Sequence, residues 1–291
     1  MRNNNLLGTG VALITPFNED YTIDYQSLER LIEYLIKNGI NYLVVMGTTA
    51  ESATLDYHEQ NDILNFVKKI VNSRVPIVFG LGSNNTTQLV KRIHSIDFQG
   101  IEAILSVAPY YNKPSQRGIF NHYDIIAQNT SVDIIMYNVP SRTAIHIEPN
   151  TVADLALKHH NIIGIKEASG DINNCMDLVS QCPDDFMIIS GDDKMTFPIM
   201  SLGGVGVISV QAMAFPNLFS TMVNACLEAE YDVAKKKHYE LLKSVDLFYV
   251  DGNPSGVKEA LFFKKICNSS QVRLPLVKMD VDNAKKMHLV L

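Results

Sequence analysis

The feature that most constrains this chain is a recurrence. Short apolar, β-branched runs return roughly every 20 to 35 residues, each followed by a polar or glycine-containing turn and then a longer amphipathic stretch. The runs fall at residues 11–15, 42–46, 77–80, 103–107, 133–137, 162–166, 187–190 and 206–210. Between them, patterns such as Leu28, Leu31, Ile32, Leu35 and Ile36 give the 3.6-residue period of a helix that buries one face. Eight βα units in one chain predict an α/β fold, a closed parallel (β/α)8 TIM barrel. An open doubly wound sheet is the competing architecture, but the first run shows no dinucleotide-binding glycine turn. Beyond the eighth run, residues 216–229, 231–248 and 257–267 read as helices. The expected organisation is therefore a catalytic barrel over residues 1–220 and a C-terminal helical subdomain over 221–291, packed on the barrel with no linker between them.

Composition narrows the function. A formal net charge of −6 offers no field for nucleic acid or anionic lipid, and the run Lys235-Lys236-Lys237 follows Glu228, Glu230 and Asp232, as a solvated helix face does. The opening residues give no secretory leader, no segment approaches the roughly 20 apolar residues of a membrane span, and the four cysteines form no C-x-x-C pair. A cytoplasmic protein without structural disulfides or a membrane partner is expected.

In a parallel barrel the chemistry sits at the C-terminal strand ends, so the residues after each run are the informative ones. Lys166 closes the run Ile162-Ile163-Gly164-Ile165 and points toward apolar walls, which disfavour an ammonium and favour an amine able to attack a carbonyl. The bland reading is an ion pair with neighbouring Glu167. Tyr137, one strand earlier at the same level, can relay protons for such an amine or simply pack with its hydroxyl satisfied. Thr48 and Thr49 open a turn whose hydroxyls and N–H groups suit a proton relay and a small carboxylate, and suit a helix N-cap equally well. Arg142, beyond Pro140, can clamp a second carboxylate or be a surface residue. The Gly203-Gly204-Val205-Gly206 stretch precedes the eighth run and reads as tight-turn glycines rather than a phosphate loop.

Taken in order, Gly47-Thr48-Thr49-Ala50-Glu51-Ser52, Tyr110-Tyr111-Asn112-Lys113-Pro114, Tyr137-Asn138-Val139-Pro140-Ser141-Arg142-Thr143, Gly164-Ile165-Lys166-Glu167-Ala168 and Ser190-Gly191-Asp192-Asp193 resemble the pyruvate-dependent class I aldolases, the N-acetylneuraminate lyase family. The resemblance covers nearly the whole chain. The Pro-Ser-Arg-Thr turn favours its synthase branch, which condenses pyruvate with L-aspartate 4-semialdehyde on the way to diaminopimelate and lysine. It implies Lys166 as the Schiff-base lysine, with Tyr137, Thr48 and, from a neighbouring subunit, Tyr111 as the proton relay. It also implies Thr49 on the pyruvate carboxylate, Gly191 and Ile208 along the pocket, Arg142 on the aldehyde substrate, a homodimer or homotetramer, and no metal or organic cofactor. Ala50 stands where the family pattern has glycine, which puts the geometry of that loop in question.

In lysine-inhibited members the effector sits near the residues aligned with Ser52, Ala53, Tyr57, Gln60, Asn84, Gln88 and Tyr110. A carboxylate is replaced here by Gln88 and histidines by Tyr57 and Gln60, so weak or absent inhibition is expected. The alternatives are a sibling aldolase, of the sialic acid lyase or keto-deoxy sugar acid type, and a non-catalytic pyruvate-binding barrel. A binding module would have no use for the proton relay.

Overall fold

A computed structural model describes residues 3–291; Met1 and Arg2, at the head of the segment read as lacking a leader, lie outside the described residues. Eight parallel strands close in sequence order into one barrel: β1 Gly8–Ala12, β2 Tyr42–Val45, β3 Ile77–Gly80, β4 Ala103–Val107, β5 Asp133–Asn138, β6 Ile162–Glu167, β7 Met187–Ser190 and β8 Gly206–Ser209. Seven coincide with the apolar runs to within a residue or two. The first is displaced, because Gly8-Thr9-Gly10 carries little apolar signal yet pairs with Gly206, Val207 and Ile208. Leu13 to Thr15, expected in the strand, continue past its end and remain buried.

The glycines before β8 serve closure. A Cβ on Gly206 would meet the Gly8 carbonyl oxygen at 2.1 Å, so only glycine lets the last strand approach the first. Gly203, at φ +113°, makes the turn that precedes it.

Several helices outside the barrel begin where a capping side chain takes up a free N–H group. In α1 (Tyr25–Lys37) the Asp24 carboxylate accepts from Ser27 N–H; in α2 (Tyr57–Val71) Asp56 and Glu59 form a capping box. The series continues with α3 (Thr86–Ser95), α4 (Gln116–Gln128), the single turn α5 (Pro140–Thr143), α6 (Pro149–Lys158), α7 (Ile172–Gln181) and α8 (Thr196–Ser201). The helix α9 (Pro216–Leu227) packs on β1 and spans the division drawn at residue 220. Beyond it come α10 (Tyr231–Leu242), a 3-10 turn Val245–Phe248, α11 (Ser255–Phe263) and α12 (Val281–His288).

The stretch 231–248 is thus not one helix. Gln211, from the loop after β8, donates through Nε2 to the Leu241 carbonyl and to Ser244 Oγ, both at 2.9 Å, and these tertiary bonds replace the next helical turn. The sequence reading also missed α12, which buries little besides Met287 and starts at an Asp280 cap. Among the described residues no helix is long and apolar enough to cross a membrane.

The C-terminal region is fastened to the barrel by buried charge. Lys258 Nζ lies 2.5 Å from Glu51 Oε1 with both side chains excluded from solvent, and it also donates to the Gln271 carbonyl at 2.8 Å. Arg273 pairs with Glu59 at 2.6 Å and lies 4.5 Å over the Phe17 ring. Removing either partner of the Lys258–Glu51 pair would strand a buried charge.

Candidate active site

A cavity of about 320 Å³ opens at the C-terminal end of the barrel, its floor formed by Ala12, Val44 and Leu105. That size suits a small organic acid more than a macromolecule. Lys166, only 6% exposed, enters it from β6. Strand register places Tyr137 directly opposite Lys166, and the Nζ atom lies 4.4 Å from the centre of the Tyr137 ring. The opposite wall is Gly191, where a Cβ would come within 2.8 Å of Lys166 Cε; its hydrogen atom leaves the space the lysine stem fills.

The competing ion-pair reading fails on strand geometry. Successive side chains of a strand point to opposite faces, so Glu167 faces away from the cavity. It accepts from Asn138 Nδ2 and Asn174 Nδ2, each at 2.8 Å, and from Ser169 N–H at 2.6 Å. Lys166 is left with no carboxylate partner among the described residues. The same Glu167 cluster ties the ends of β5 and β6 together, which fixes the relative height of Tyr137 and Lys166.

Thr48 and Thr49 start a 3-10 turn after β2, Thr48 exposed and Thr49 buried. The left-handed residues of this loop are Met46, at φ +61°, and Glu51, at φ +56°, and not Ala50. Alanine in place of glycine is therefore unstrained there. Arg142 stands on α5 at the mouth, exposed, with no carboxylate partner among the described residues. A guanidinium so placed can accept a carboxylate from solution.

Thr48, Thr49, Tyr137, Arg142, Lys166 and Gly191 thus share one cavity. Two expected residues do not. Ile208 lies in β8, and the cavity wall after that strand is Val210. Tyr111, 86% exposed, sits outside, in the loop between β4 and α4. Tyr110 instead lines a second cavity of about 570 Å³, together with Tyr57, Gln60, Gln88 and Arg92. The two cavities share Thr48, Tyr137, Arg142 and Asn253 as a common wall.

Sequence reasoning missed the contribution of the C-terminal region. Asn253 and Tyr249 line the cavity, and Asn253 Nδ2 donates to Thr49 Oγ1 at 2.9 Å. The Tyr249 hydroxyl donates to Asp193 at 2.7 Å. Asp193 also accepts from Ser209 Oγ at 2.6 Å and Gln211 N–H at 2.9 Å. Burial pushes the Asp193 carboxyl up against the pull of these donors, and burial together with Asp193 holds the Tyr249 hydroxyl far above the ordinary phenol range. Lys194 and Asp246 form an ion pair across the mouth. Tyr249 and Asn253 stand more than about 100 positions beyond Arg142, outside any local motif.

A model of the dihydrodipicolinate synthetase family matches residues 5–291. A 4-hydroxy-tetrahydrodipicolinate synthase of Flavobacterium psychrophilum is 46% identical over 284 residues, 97% of this chain and 96% of that protein. One of Parabacteroides distasonis is 46% identical over 291 residues, 100% of this chain and 98% of that protein. The crystal structure of dihydrodipicolinate synthase from Aquifex aeolicus superposes with a TM-score of 0.94 at 36% identity, covering 98% of this chain and 97% of that one.

Proposed function

The chain belongs to the dihydrodipicolinate synthetase family, and from that footing we propose that Lys166 carries its reaction as an imine with pyruvate. The reaction is the condensation of pyruvate with L-aspartate 4-semialdehyde to 4-hydroxy-tetrahydrodipicolinate, in the route to diaminopimelate and lysine. The observation that supports the lysine's role is its place: buried, beside Tyr137, without a carboxylate partner among the described residues.

In this reading the Lys166 amine attacks C2 of pyruvate, and loss of water from the carbinolamine leaves an iminium. The iminium withdraws electrons, so a methyl proton leaves and the resulting enamine carbon attacks the aldehyde. A carbon–carbon bond forms, the aldehyde oxygen takes up a proton, and the amine of the aldehyde substrate then attacks the imine carbon, closing the ring and expelling Lys166 as the free amine. Each stage moves a proton. Tyr137 and Thr48 relay it within the subunit, and Tyr111 of a second copy of the chain completes the relay. Thr49 holds the pyruvate carboxylate, Gly191 borders the imine with Ile208 in the strand wall, and Arg142 receives the carboxylate of the aldehyde substrate. The lysine imine acts as the electron sink, so the scheme draws on no metal or organic cofactor.

Tyr111 reaches such a site only across an interface, which makes the working unit at least a homodimer. Sedimentation of active enzyme should show it, and an active monomer at assay concentration would refute it. The four free thiols fit a reducing cytoplasm. The test of the central claim is reductive trapping. Borohydride with pyruvate should label Lys166 and no other lysine, and an unmodified Lys166 peptide from fully trapped protein would end the Schiff-base reading.

A further inference from the structure

Thr49 is fixed from a distant part of the chain, and the direction of that hydrogen bond has a chemical consequence. Asn253, in the segment between the 3-10 turn Val245–Phe248 and α11, donates through Nδ2 to Thr49 Oγ1; both residues are buried and both line the Lys166 cavity. A hydroxyl that accepts from an amide keeps its own hydrogen to give. Among the described residues no acceptor takes the Thr49 hydrogen.

The backbone of the turn is secured independently. The Ala50 carbonyl accepts from Thr15 Oγ1 at 2.8 Å, while the Glu51 carboxylate is held by Lys258 and by Arg273 N–H at 2.8 Å. Three consecutive residues are thus pinned, and of their four anchors Asn253, Lys258 and Arg273 come from the C-terminal region. Asn253 alone sets which way the Thr49 hydrogen turns.

We propose that Asn253 is a positioning residue that makes Thr49 a hydrogen-bond donor to an anionic group of the substrate bound beside Lys166. An acceptor at this place would consume the hydrogen that the carboxylate needs. Asparagine is suited to the position and aspartate is not, although the two have the same shape. The inference rests on the reading of Thr49 as the pyruvate carboxylate ligand.

The test compares Asn253→Ala, Asn253→Asp, Thr49→Val and the double variant Asn253→Ala/Thr49→Val, by steady-state kinetics in each substrate and by thermal midpoint. Asn253→Ala should raise the KM for pyruvate on the order of 10-fold, the worth of one directed hydrogen bond to a charged group, with kcat and the KM for the aldehyde within about 3-fold. Asn253→Asp keeps the packing and should raise it further, since its carboxylate captures the Thr49 hydrogen and faces a like charge. The double variant should bind pyruvate no worse than Thr49→Val alone. Additive losses, equal losses for both substrates together with a lowered midpoint, or an Asn253→Asp enzyme with the pyruvate KM of the parent would overturn the proposal. A Thr49→Val enzyme with unchanged pyruvate KM would instead remove the reading of Thr49 on which it stands.

Discussion

Replacing Gly191 with alanine tests whether the position of the Lys166 amine, rather than its presence, limits the reaction. The backbone at Gly191 does not use the left-handed region that favours glycine, so alanine introduces one carbon and no dihedral strain. That carbon would lie 2.8 Å from Lys166 Cε, 2.9 Å from Lys166 Cγ and 2.8 Å from Ala168 Cβ. Carbon atoms in contact sit about 3.5 to 4.0 Å apart, so something must move by roughly 1 Å. Ala168 Cβ is tied to the backbone, and the lysine stem is the part free to yield. Overpacking of this kind costs about 1 to 3 kcal/mol of stability. Misplacing a reacting atom by about 1 Å costs roughly 10²-fold in rate. We therefore expect Gly191→Ala to fold, with imine formation slowed roughly 100-fold when followed by rapid mixing with pyruvate and a borohydride quench. Adding Ala168→Gly removes one of the opposing atoms and should recover part of the loss. Imine formation within about 3-fold of the parent enzyme would refute the claim that this contact sets the amine's position.

Two further outcomes follow from residues away from the amine. His122, buried in α4 with Nδ1 2.8 Å from Thr86 Oγ1, has its pKa lowered by burial from 6.5 to about 4. Between those values the unfolded chain binds a proton that the native chain does not, so this contribution is full above pH 6.5 and is lost as pH falls toward 4. Urea unfolding should show about 2 kcal/mol of acid loss between pH 7 and pH 5 that His122→Leu lacks, and an equal slope in both proteins would contradict it. Lysine should inhibit weakly or not at all. Gln88 offers an amide where a carboxylate would hold the effector's ammonium, a loss of about 1.5 to 3 kcal/mol. Gln60 Nε2 is already committed to the Ser52 and Leu55 carbonyls at 3.1 Å, and Arg92 brings a like charge to the same cavity, 4.4 Å over the Tyr57 ring. Initial rates against lysine at saturating pyruvate decide it, with half-maximal inhibition in the submillimolar range counting against the expectation.

What the sequence disclosed follows the range of its physics. Strand positions were legible where β-branched runs announce them, and the strand-end residues Thr48, Tyr137, Lys166 and Gly191 came with them, since a parallel barrel sends its strand ends to one face. The first strand was misplaced because its pairing rests on the glycines of Gly8-Thr9-Gly10, where close approach and not side-chain burial decides. Glu167 shows a different lapse: the alternation of a strand already sends it away from Lys166, so its pairing with Asn138 and Asn174 was within reach of the period-2 rule. Asn253 and Lys258 were not within reach. Their partners Thr49 and Glu51 lie 204 and 207 residues earlier, and no periodicity or turn signal links positions that far apart. A buried lysine makes the point physically, because Lys258 is tolerable only opposite Glu51, and burial still lowers its pKa to about 8. The charge at Lys258 reads in the sequence as an ordinary helix-surface residue. Only folding brings it under the turn that carries Thr48 and Thr49, beside the Tyr249 and Asn253 that line the Lys166 cavity.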